Sequence, residues 1–463
     1  MRDRGTIAAI ATATAPAGVG VVRVSGADAI NFAATVLRTV TPLAAQPSAT
    51  LRRMEVTEPQ TGEVIDDGLV AVFRAPNSFT GENVVELQGH GGSVTLGRVL
   101  AAVLSAGARL ARPGEFSERA FVAGKLDLAQ AEAVASLIEA QTVTAQRAAR
   151  RQLSGAVSLA VGEATTAIGD ALARIEASID FPEDVGELLT DVVATQIVFD
   201  ALTRARTIAA NLLATATYGK RLTEGITLVL AGRPNVGKSS LLNALSGYER
   251  AIVSPIAGTT RDIVEEALQI GGIPIRALDT AGIRETGDAV EQIGVARARG
   301  AVETADVVVA VIDGAEGVTP EDAAFLRSLV GRAVVVAVNK SDAANVEHAV
   351  REAATLLPNA PVVAVAARTG HGLPALSDAI LSLLGANNVD TNAALITSAR
   401  HTDALRRAAN ALDAALQTLT DGLPAELIAV DAHAAIACFG EITGQTAREE
   451  IIAGIFSRFC IGK

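Results

Sequence analysis

Residues 226–240 read ITLVLAGRPNVGKSS. A short apolar run, Ile226–Leu230, leads into a loop of the form G-x-x-x-x-G-K-[ST] at Gly232–Ser239, and a helical run follows. Glycines let such a loop wrap a phosphate chain, with successive backbone N–H groups and a helix N-terminus pointing at it. Lys238 then bridges the β- and γ-phosphates, and Ser239 ligates Mg2+. A ligand-free glycine turn is the plain alternative, but the strand–loop–helix setting argues against it.

Two further motifs follow in order. Asp279-Thr280-Ala281-Gly282 comes after the apolar run Ile275–Leu278 as a D-x-x-G loop, its acid reaching Mg2+ through water and its glycine N–H sensing the γ-phosphate. Asn339-Lys340-Ser341-Asp342 ends the run Ala333–Val338 as N-K-x-D. Its aspartate accepts both N1–H and the exocyclic amine of guanine; adenine lacks that donor pair, which gives strong discrimination. D-x-x-G alone carries little weight, but the ordered trio at strand ends points to GTP. Between the first two motifs, Gly258-Thr259-Thr260-Arg261-Asp262 occupies the place of a switch, with Thr260 the candidate to close over Mg2+. The alternative is a polar loop.

One residue type is missing. Ras-like enzymes carry a water-orienting Gln directly after D-x-x-G, and here that position is Ile283. Either the switch is nearly inert or catalytic groups come from elsewhere. Asn235 is an amide able to hold a monovalent cation beside the phosphates. Glu285, Asp288 and Glu291 are equal candidates to reach a water, and solvated surface charge is the commoner reading of each.

Outward from this centre, Ile226–Leu230, Val307–Ile312 and Ala333–Val338 are near-continuous Val/Ile/Ala runs alternating with helical segments, which indicates a parallel sheet covered on both faces. This G block is expected over 221–384. Residues 1–120 mix short β-type runs (Gly20–Val24, Gly68–Phe73, Asn83–Gln88) with one helical stretch, Ser93–Ala106, and read as an α+β domain. Leu126–Ser154 and Val157–Ile179 are helical until Asp180-Phe181-Pro182 forces a stop, and Thr190–Ala216 is helical again. Helical texture resumes near Ile396. The expected organisation is an α/β and α multidomain chain: an N-terminal α+β domain (1–120) and an all-helical domain in two halves (121–220 and 385–463), interrupted by the G block.

Composition narrows the function. The chain has 463 residues, 49% of them hydrophobic but only 3% aromatic, so alanine fills space that large side chains usually take; disorder and a disulfide scaffold are excluded. A net charge of −12 leaves no bulk attraction for nucleic acid, so any RNA substrate calls for a local basic patch or a more basic partner. Cys438 and Cys460 fit a reducing compartment. No apolar run approaches membrane-spanning length. Arg2, Arg4 and the stretch Thr6–Ala15 mimic a signal peptide, but Ala and Thr are weakly apolar and the stretch continues as a strand-like Val19–Val24.

At the other end, Thr446-Ala447-Arg448-Glu449 has the capping-box pattern, and Ile451, Ile452, Ile455, Phe456 and Phe459 line one face of the helix it opens. The chain ends Cys460-Ile461-Gly462-Lys463, whose last two residues fit a prenylation box poorly. Cys460 is either a buried inert thiol or a thiol carried with a lysine to a ligand site.

Together GRPNVGKSSLLNAL, SPIAGTTRD, DTAGIRET, VEQIG and FSRFCIGK, with SFTGENVVELQGHGG, ARPGEFSERAF and GKLDLAQAEAV nearer the start, resemble the bacterial family of tRNA modification GTPases called MnmE or TrmE. The resemblance covers the whole chain in order. It implies a homodimer whose N-terminal domain binds a one-carbon tetrahydrofolate (5-formyl or 5,10-methylene) and a Ras-like G domain inserted into the helical domain. It also implies a flavoprotein partner, MnmG (GidA), in a heterotetramer. That pair places an aminomethyl or carboxymethylaminomethyl group at C5 of the wobble uridine of certain tRNAs, with FAD and NADH on or through the partner. Hydrolysis in the family needs K+. A cytoplasmic protein away from membranes is expected, gripping tRNA mainly through the partner.

Carried over residue by residue, the resemblance places GTP contacts at Asn235, Val236, Gly237, Lys238, Ser239 and Ser240 and at Ser254, Pro255, Ile256, Ala257, Gly258, Thr259 and Thr260. Further contacts fall on Asp279, Thr280, Ala281 and Gly282, on Asn339, Lys340 and Asp342, and on Ala366, Ala367 and Arg368. Magnesium falls to Ser239 and Thr260, and potassium to Asn235, Ser254, Ile256 and Thr259. The family's catalytic glutamate falls on Glu291, twelve residues after Asp279, which selects among the three acids. Folate contacts fall on Arg23, Glu86, Lys125 and Lys463; cations suit the folate's glutamate carboxylates, and Glu86 suits the pterin's amino and N–H donors. Two departures stand out. The family's P-P-G-x-G-G loop is here Ala13-Thr14-Ala15-Pro16-Ala17-Gly18, and its S-A-K/R loop is Ala366-Ala367-Arg368, which lacks the serine hydroxyl. A regulatory GTPase of ribosome assembly, without folate chemistry, is the alternative class, and an inert nucleotide-binding scaffold is a third.

Overall fold

The computed structural model describes residues 5–13, 16–39, 41–181, 183, 191–248, 265–279, 300–343, 346–386 and 393–462. The chain divides into two compact units, Met1–Ala135 with Ala437–Lys463, and Ser136–Ile436.

The first unit is built on a seven-stranded sheet of order β3-β4-β5-β6-β2-β1-β7. Its strands are β1 (Ile7–Ile10), β2 (Ala17–Ser25), β3 (Leu37–Arg38), β4 (Thr50–Thr57), β5 (Val64–Phe73), β6 (Val84–Gly91) and β7 (Arg109–Leu110). All pair antiparallel except β1 with β7. Helices α1 (Ala29–Thr35) and α2 (Ser93–Ser105) cover one face, where Val22, Val24, Val70, Val72, Val85 and Leu87 meet Leu96, Val99 and Val103. Alternate residues of β2 and β6 thus feed the core, leaving Arg23 and Glu86 directly opposite each other on the other face.

Helix α3 (Glu115–Val122) follows Gly114, whose φ is +67° and where a Cβ would lie 2.4 Å from the Phe456 carbonyl, so only glycine fits. That contact seats the C-terminal segment, where Ile452, Phe456 and Phe459 pack with Leu128 and Ala131. The apolar face read from the sequence is therefore largely buried, although Ile451 stays exposed. The capping box is not formed. The last helix, α15 (Glu449–Phe456), starts after Arg448 with no side-chain cap. Thr446 Oγ1 instead donates to the Ala437 carbonyl at 2.6 Å, a tertiary bond that takes the hydroxyl away from the helix end.

In the second unit the sheet order is β13-β12-β11-β8-β10-β9, with β8 (Ile226–Ala231), β9 (Glu265–Ile270), β10 (Ile273–Asp279), β11 (Val307–Asp313), β12 (Val334–Asn339) and β13 (Val362–Ala364). All pairs are parallel except β10 with β9. Every described residue of β11 and β12 is buried, as an unbroken Val/Ile/Ala strand demands when both faces are covered. The covering helices are α9 (Lys238–Tyr248), α10 (Pro320–Ser328), α11 (Val346–Leu356) and α12 (Leu373–Leu383). This is the Ras-like arrangement that the family resemblance implies, with the antiparallel edge strand β9 added to the parallel sheet read from the apolar runs.

The helical part of this unit comprises α5 (Val143–Leu153), α6 (Ala156–Asp180), α7 (Val192–Ala214), α8 (Ala216–Glu224) and α13 (Ala399–Thr420), with α7 packed on both α6 and α13. The chain passes between the units within α4 (Leu128–Glu139) and α14 (Ala425–Thr443). The helical run Leu126–Ser154 is interrupted between α4 and α5, because Thr142 is extended and caps α5, its hydroxyl accepting from the Ala145 N–H. Asp191 caps α7 through the N–H groups of Val193 and Ala194. Among the described residues no helix is long and apolar enough to cross a membrane.

Candidate functional site

Strands β8, β10, β11 and β12 run parallel, and their carboxyl ends carry the motifs. Leu230 pairs with Asp279, Ala231 with Ala310, and Asp313 with Asn339. Ligands bind at this edge of an open α/β sheet because loops and helix N-termini converge there.

The loop after β8 is held by close approaches. Gly232 has φ +153° and a Cβ there would lie 2.3 Å from the Val311 carbonyl; Gly237 has φ +96° and a Cβ there would lie 2.3 Å from Asn339 Nδ2. Asn235 also takes a left-handed conformation, φ +64°, which an amide side chain tolerates. The loop closes around Lys238, which is buried; its Nζ donates to the carbonyls of Gly232 at 2.9 Å and Arg233 at 2.8 Å. Ser239 and Ser240 stand exposed in the first turn of α9, where helix N–H groups favour an anion.

Asn339, nearly fully buried, joins two loops. Its Nδ2 donates to the Val236 carbonyl at 2.9 Å and its Oδ1 accepts from the Ala367 N–H at 3.1 Å. Lys340, at φ +62°, forms an ion pair with Asp313. Burial pushes the Asp313 carboxyl up, but hydrogen bonds from Lys340 and the Ala315 N–H outweigh it and hold the group below the ordinary carboxylate range. Arg368 Nη2 donates to Asp342 Oδ2 at 2.7 Å, and that bond likewise holds Asp342 ionised. Gly237, Ser240, Asn339, Lys340, Asp342 and Arg368 line a cavity of about 380 Å³, a size in the range of small-molecule sites.

Two supports were not read from the sequence. Asp313 had a visible signal, an acid ending the apolar run Val307–Ile312. The second, Arg233, is gripped by Asp322 at 3.0 Å and Glu316 at 2.8 Å, while Asp322 also completes a capping box with Thr319 at the start of α10. Those partners are about 80 to 90 positions away in the chain, so no local pattern shows them.

Asp279 ends β10 in place. Ser254, Pro255, Ile256, Ala257, Gly258, Thr259 and Thr260, then Thr280, Ala281, Gly282 and the whole 280–299 stretch with Ile283, Glu285, Asp288 and Glu291, lie outside the described residues. Lys463 does too.

In the first unit, Arg23 Nε and Nη2 both meet Glu86 Oε1, at 3.0 and 2.9 Å. The Arg23 guanidinium lies 5.8 Å from the Phe79 ring centre and 5.7 Å from that of Phe116. The Ser78–Glu82 loop is fixed by Ser25, which donates to Glu82 at 2.8 Å, and by Arg119, which pairs with Glu82 at 2.9 Å. Lys125 is exposed, and its stem passes Gly81, where a Cβ would lie 3.6 Å from Lys125 Cε. Gly462 abuts β1, where a Cβ would meet the Ile10 carbonyl at 2.2 Å, and Cys460 is exposed rather than buried. Arg23, Glu86 and Lys125 therefore gather around one loop. Beside it, buried Glu115 takes hydrogen bonds from Arg109 at 2.6 Å and Arg119 at 3.1 Å.

The MnmE helical domain model matches residues 128–460, and the model described as GTP-binding protein TrmE N-terminus matches residues 6–125. A protein of Symbiobacterium thermophilum named tRNA modification GTPase MnmE is 47% identical, with 99% of each chain covered. One of the same name from Moorella thermoacetica is 44% identical over 99% of each. A solved structure of Aquifex aeolicus Era bound to GDP and AlF4− is 32% identical over 40% of this chain and 66% of that one, with a TM-score of 0.30.

Proposed function

The chain belongs to the MnmE (TrmE) family of tRNA modification GTPases, and on that premise we propose that it is a potassium-stimulated GTP hydrolase of wobble-uridine modification. With a flavoprotein partner it installs an aminomethyl or carboxymethylaminomethyl group at C5 of uridine 34 of certain tRNAs, the carbon coming from a one-carbon tetrahydrofolate. The partner supplies FAD, receives electrons from NADH and carries most of the tRNA grip, which accords with this chain's net charge of −12.

The observation that carries the reading is the Asn339 bridge, which locks the phosphate loop at Val236 to the base loop at Ala367 beside the carboxylate of Asp342. The pocket selects guanine because Asp342, kept ionised by Arg368, accepts two donors on one base edge. Lys238 leaves its loop carbonyls for the β- and γ-phosphates. The donors fit hard cations: the Ser239 and Thr260 hydroxyls for Mg2+, and the Asn235 amide with Ser254, Ile256 and Thr259 for K+. When bound, these ions neutralise charge developing on the phosphates. Glu291 orients the attacking water in place of the missing Gln. In the first unit, Glu86 and Lys125, with Lys463 at the chain end, hold the folate near the Arg23 pair, and the copies pair through this domain.

The experiment is GTP turnover at matched ionic strength in K+ and in Na+. Faster turnover in K+ is expected, since the amide-lined cage suits the larger ion; equal rates sink the potassium assignment.

A further inference from the structure

Where the chain enters and leaves the G block, the crossings are tied together. Thr215 Oγ1 accepts from the Ile396 N–H at 3.0 Å, Gly219 lies so close to the Ile396 carbonyl that a Cβ would sit 2.2 Å away, and Arg221 donates to the Leu384 carbonyl. None of these residues adjoins a nucleotide motif in sequence. A further tie is different in kind. The turn Gly271-Gly272 between β9 and β10 is seated on the start of α5. Thr142 Oγ1 donates to the Gly272 carbonyl at 2.6 Å while it caps the Ala145 N–H at 3.1 Å. A Cβ on Gly272 would lie 2.0 Å from Thr144 Oγ1 and 2.6 Å from Thr144 Cβ, with φ at +82°. Beneath the turn, Ala148 of α5 belongs to the same apolar cluster as Ile270, Ile273 and Leu222.

The two strands this turn joins are those that connect the motifs. β9 begins just after Gly258–Asp262, and β10 ends on Asp279, the first residue of D-T-A-G. Among the described strands β9 pairs with β10 alone, at the edge of the sheet. A two-stranded ribbon thus connects the two motifs in the chain to a turn that rests on a helix cap.

We propose that the Gly271–Gly272 turn, clamped on Thr142 and Thr144, couples the nucleotide state of the site to helix α5. The proposal rests on the guanine-nucleotide reading above. Such a coupling is reciprocal: what the γ-phosphate does to α5, a constraint on α5 does to the preference for GTP over GDP.

The test is amide hydrogen exchange of the full-length wild-type protein saturated with GDP or with a non-hydrolysable GTP analogue, following the peptide over Val143–Leu153. Exchange at its first turn is expected to differ about fivefold between the two states. Thr142→Val should abolish that difference and shift the GTP-over-GDP affinity ratio measured by calorimetry, by up to the same factor, while Thr142→Ser should keep both as in the wild type. Identical exchange in the two states, with both nucleotides bound by calorimetry, overturns the coupling. If neither nucleotide binds, the guanine-nucleotide reading itself has failed.

Discussion

Asn339 Nδ2 donates to the Val236 carbonyl at 2.9 Å from within a nearly closed interior, so the guanine loop and the phosphate loop share one side chain. Asn339→Ala strands the Val236 carbonyl and the Ala367 N–H together. The expected cost is about 2 kcal/mol or more of stability, with a matching loss of GTP affinity. Urea unfolding and titration calorimetry measure the two effects, and a neutral substitution contradicts the bridge.

On the proposed reading, Asp342 accepts from the base edge. Asp342→Asn puts a donor where guanine also donates, so GTP affinity should fall about 100-fold or more. Xanthosine triphosphate, which presents a carbonyl in place of the exocyclic amine, should gain affinity over the wild type. Competition binding with the two nucleotides decides it; unchanged preference removes Asp342 from the base site.

Glu115 contributes to acid stability in the first unit. Burial alone pushes its carboxyl up, but hydrogen bonds from Arg109, the Arg112 N–H and Arg119 bring it down to about 2, from an ordinary 4.5. Because the folded value lies below the unfolded one, the ionised group stabilises the fold above about pH 4.5, by about 3 kcal/mol. That contribution drains away as pH falls toward 2. Glu115→Gln should therefore destabilise strongly at pH 7 and much less at pH 3 in urea unfolding. An equal effect at both values refutes the assignment.

The folate reading makes its own demand. Glu86→Gln removes the charge that anchors Arg23 and that, on this reading, would accept from pterin donors, and should weaken 5-formyltetrahydrofolate about tenfold or more. Removing Lys463 should weaken it as well. Titration calorimetry measures both, and unchanged affinity in either variant strikes that residue from the site.

Much of this was legible in the sequence where function and local pattern coincide. Gly232, Gly237 and Lys238 announce a phosphate loop because backbone geometry leaves few residue types there, and β11 and β12 announce themselves because a doubly covered strand must be apolar throughout. Legibility ended where the deciding partner is distant in the chain. Thr446 matches a capping box, yet its hydroxyl is claimed by Ala437. Thr142 breaks a helical run because Gly272 sits above it. Arg233 and Glu115 look like ordinary surface charges until Asp322 and Arg119 fold against them. Cys460, left open by the sequence, proves exposed.

The most direct measurement combines the protein with the partner flavoprotein, GTP, Mg2+, K+, a one-carbon tetrahydrofolate, NADH, an amine donor (ammonium or glycine) and unmodified tRNA, and then analyses the wobble nucleoside by mass spectrometry. A C5-aminomethyl or carboxymethylaminomethyl uridine is expected, its methylene carbon carrying an isotope label placed on the folate. Unmodified uridine alongside brisk GTP hydrolysis would contradict it and leave a regulatory GTPase in its place.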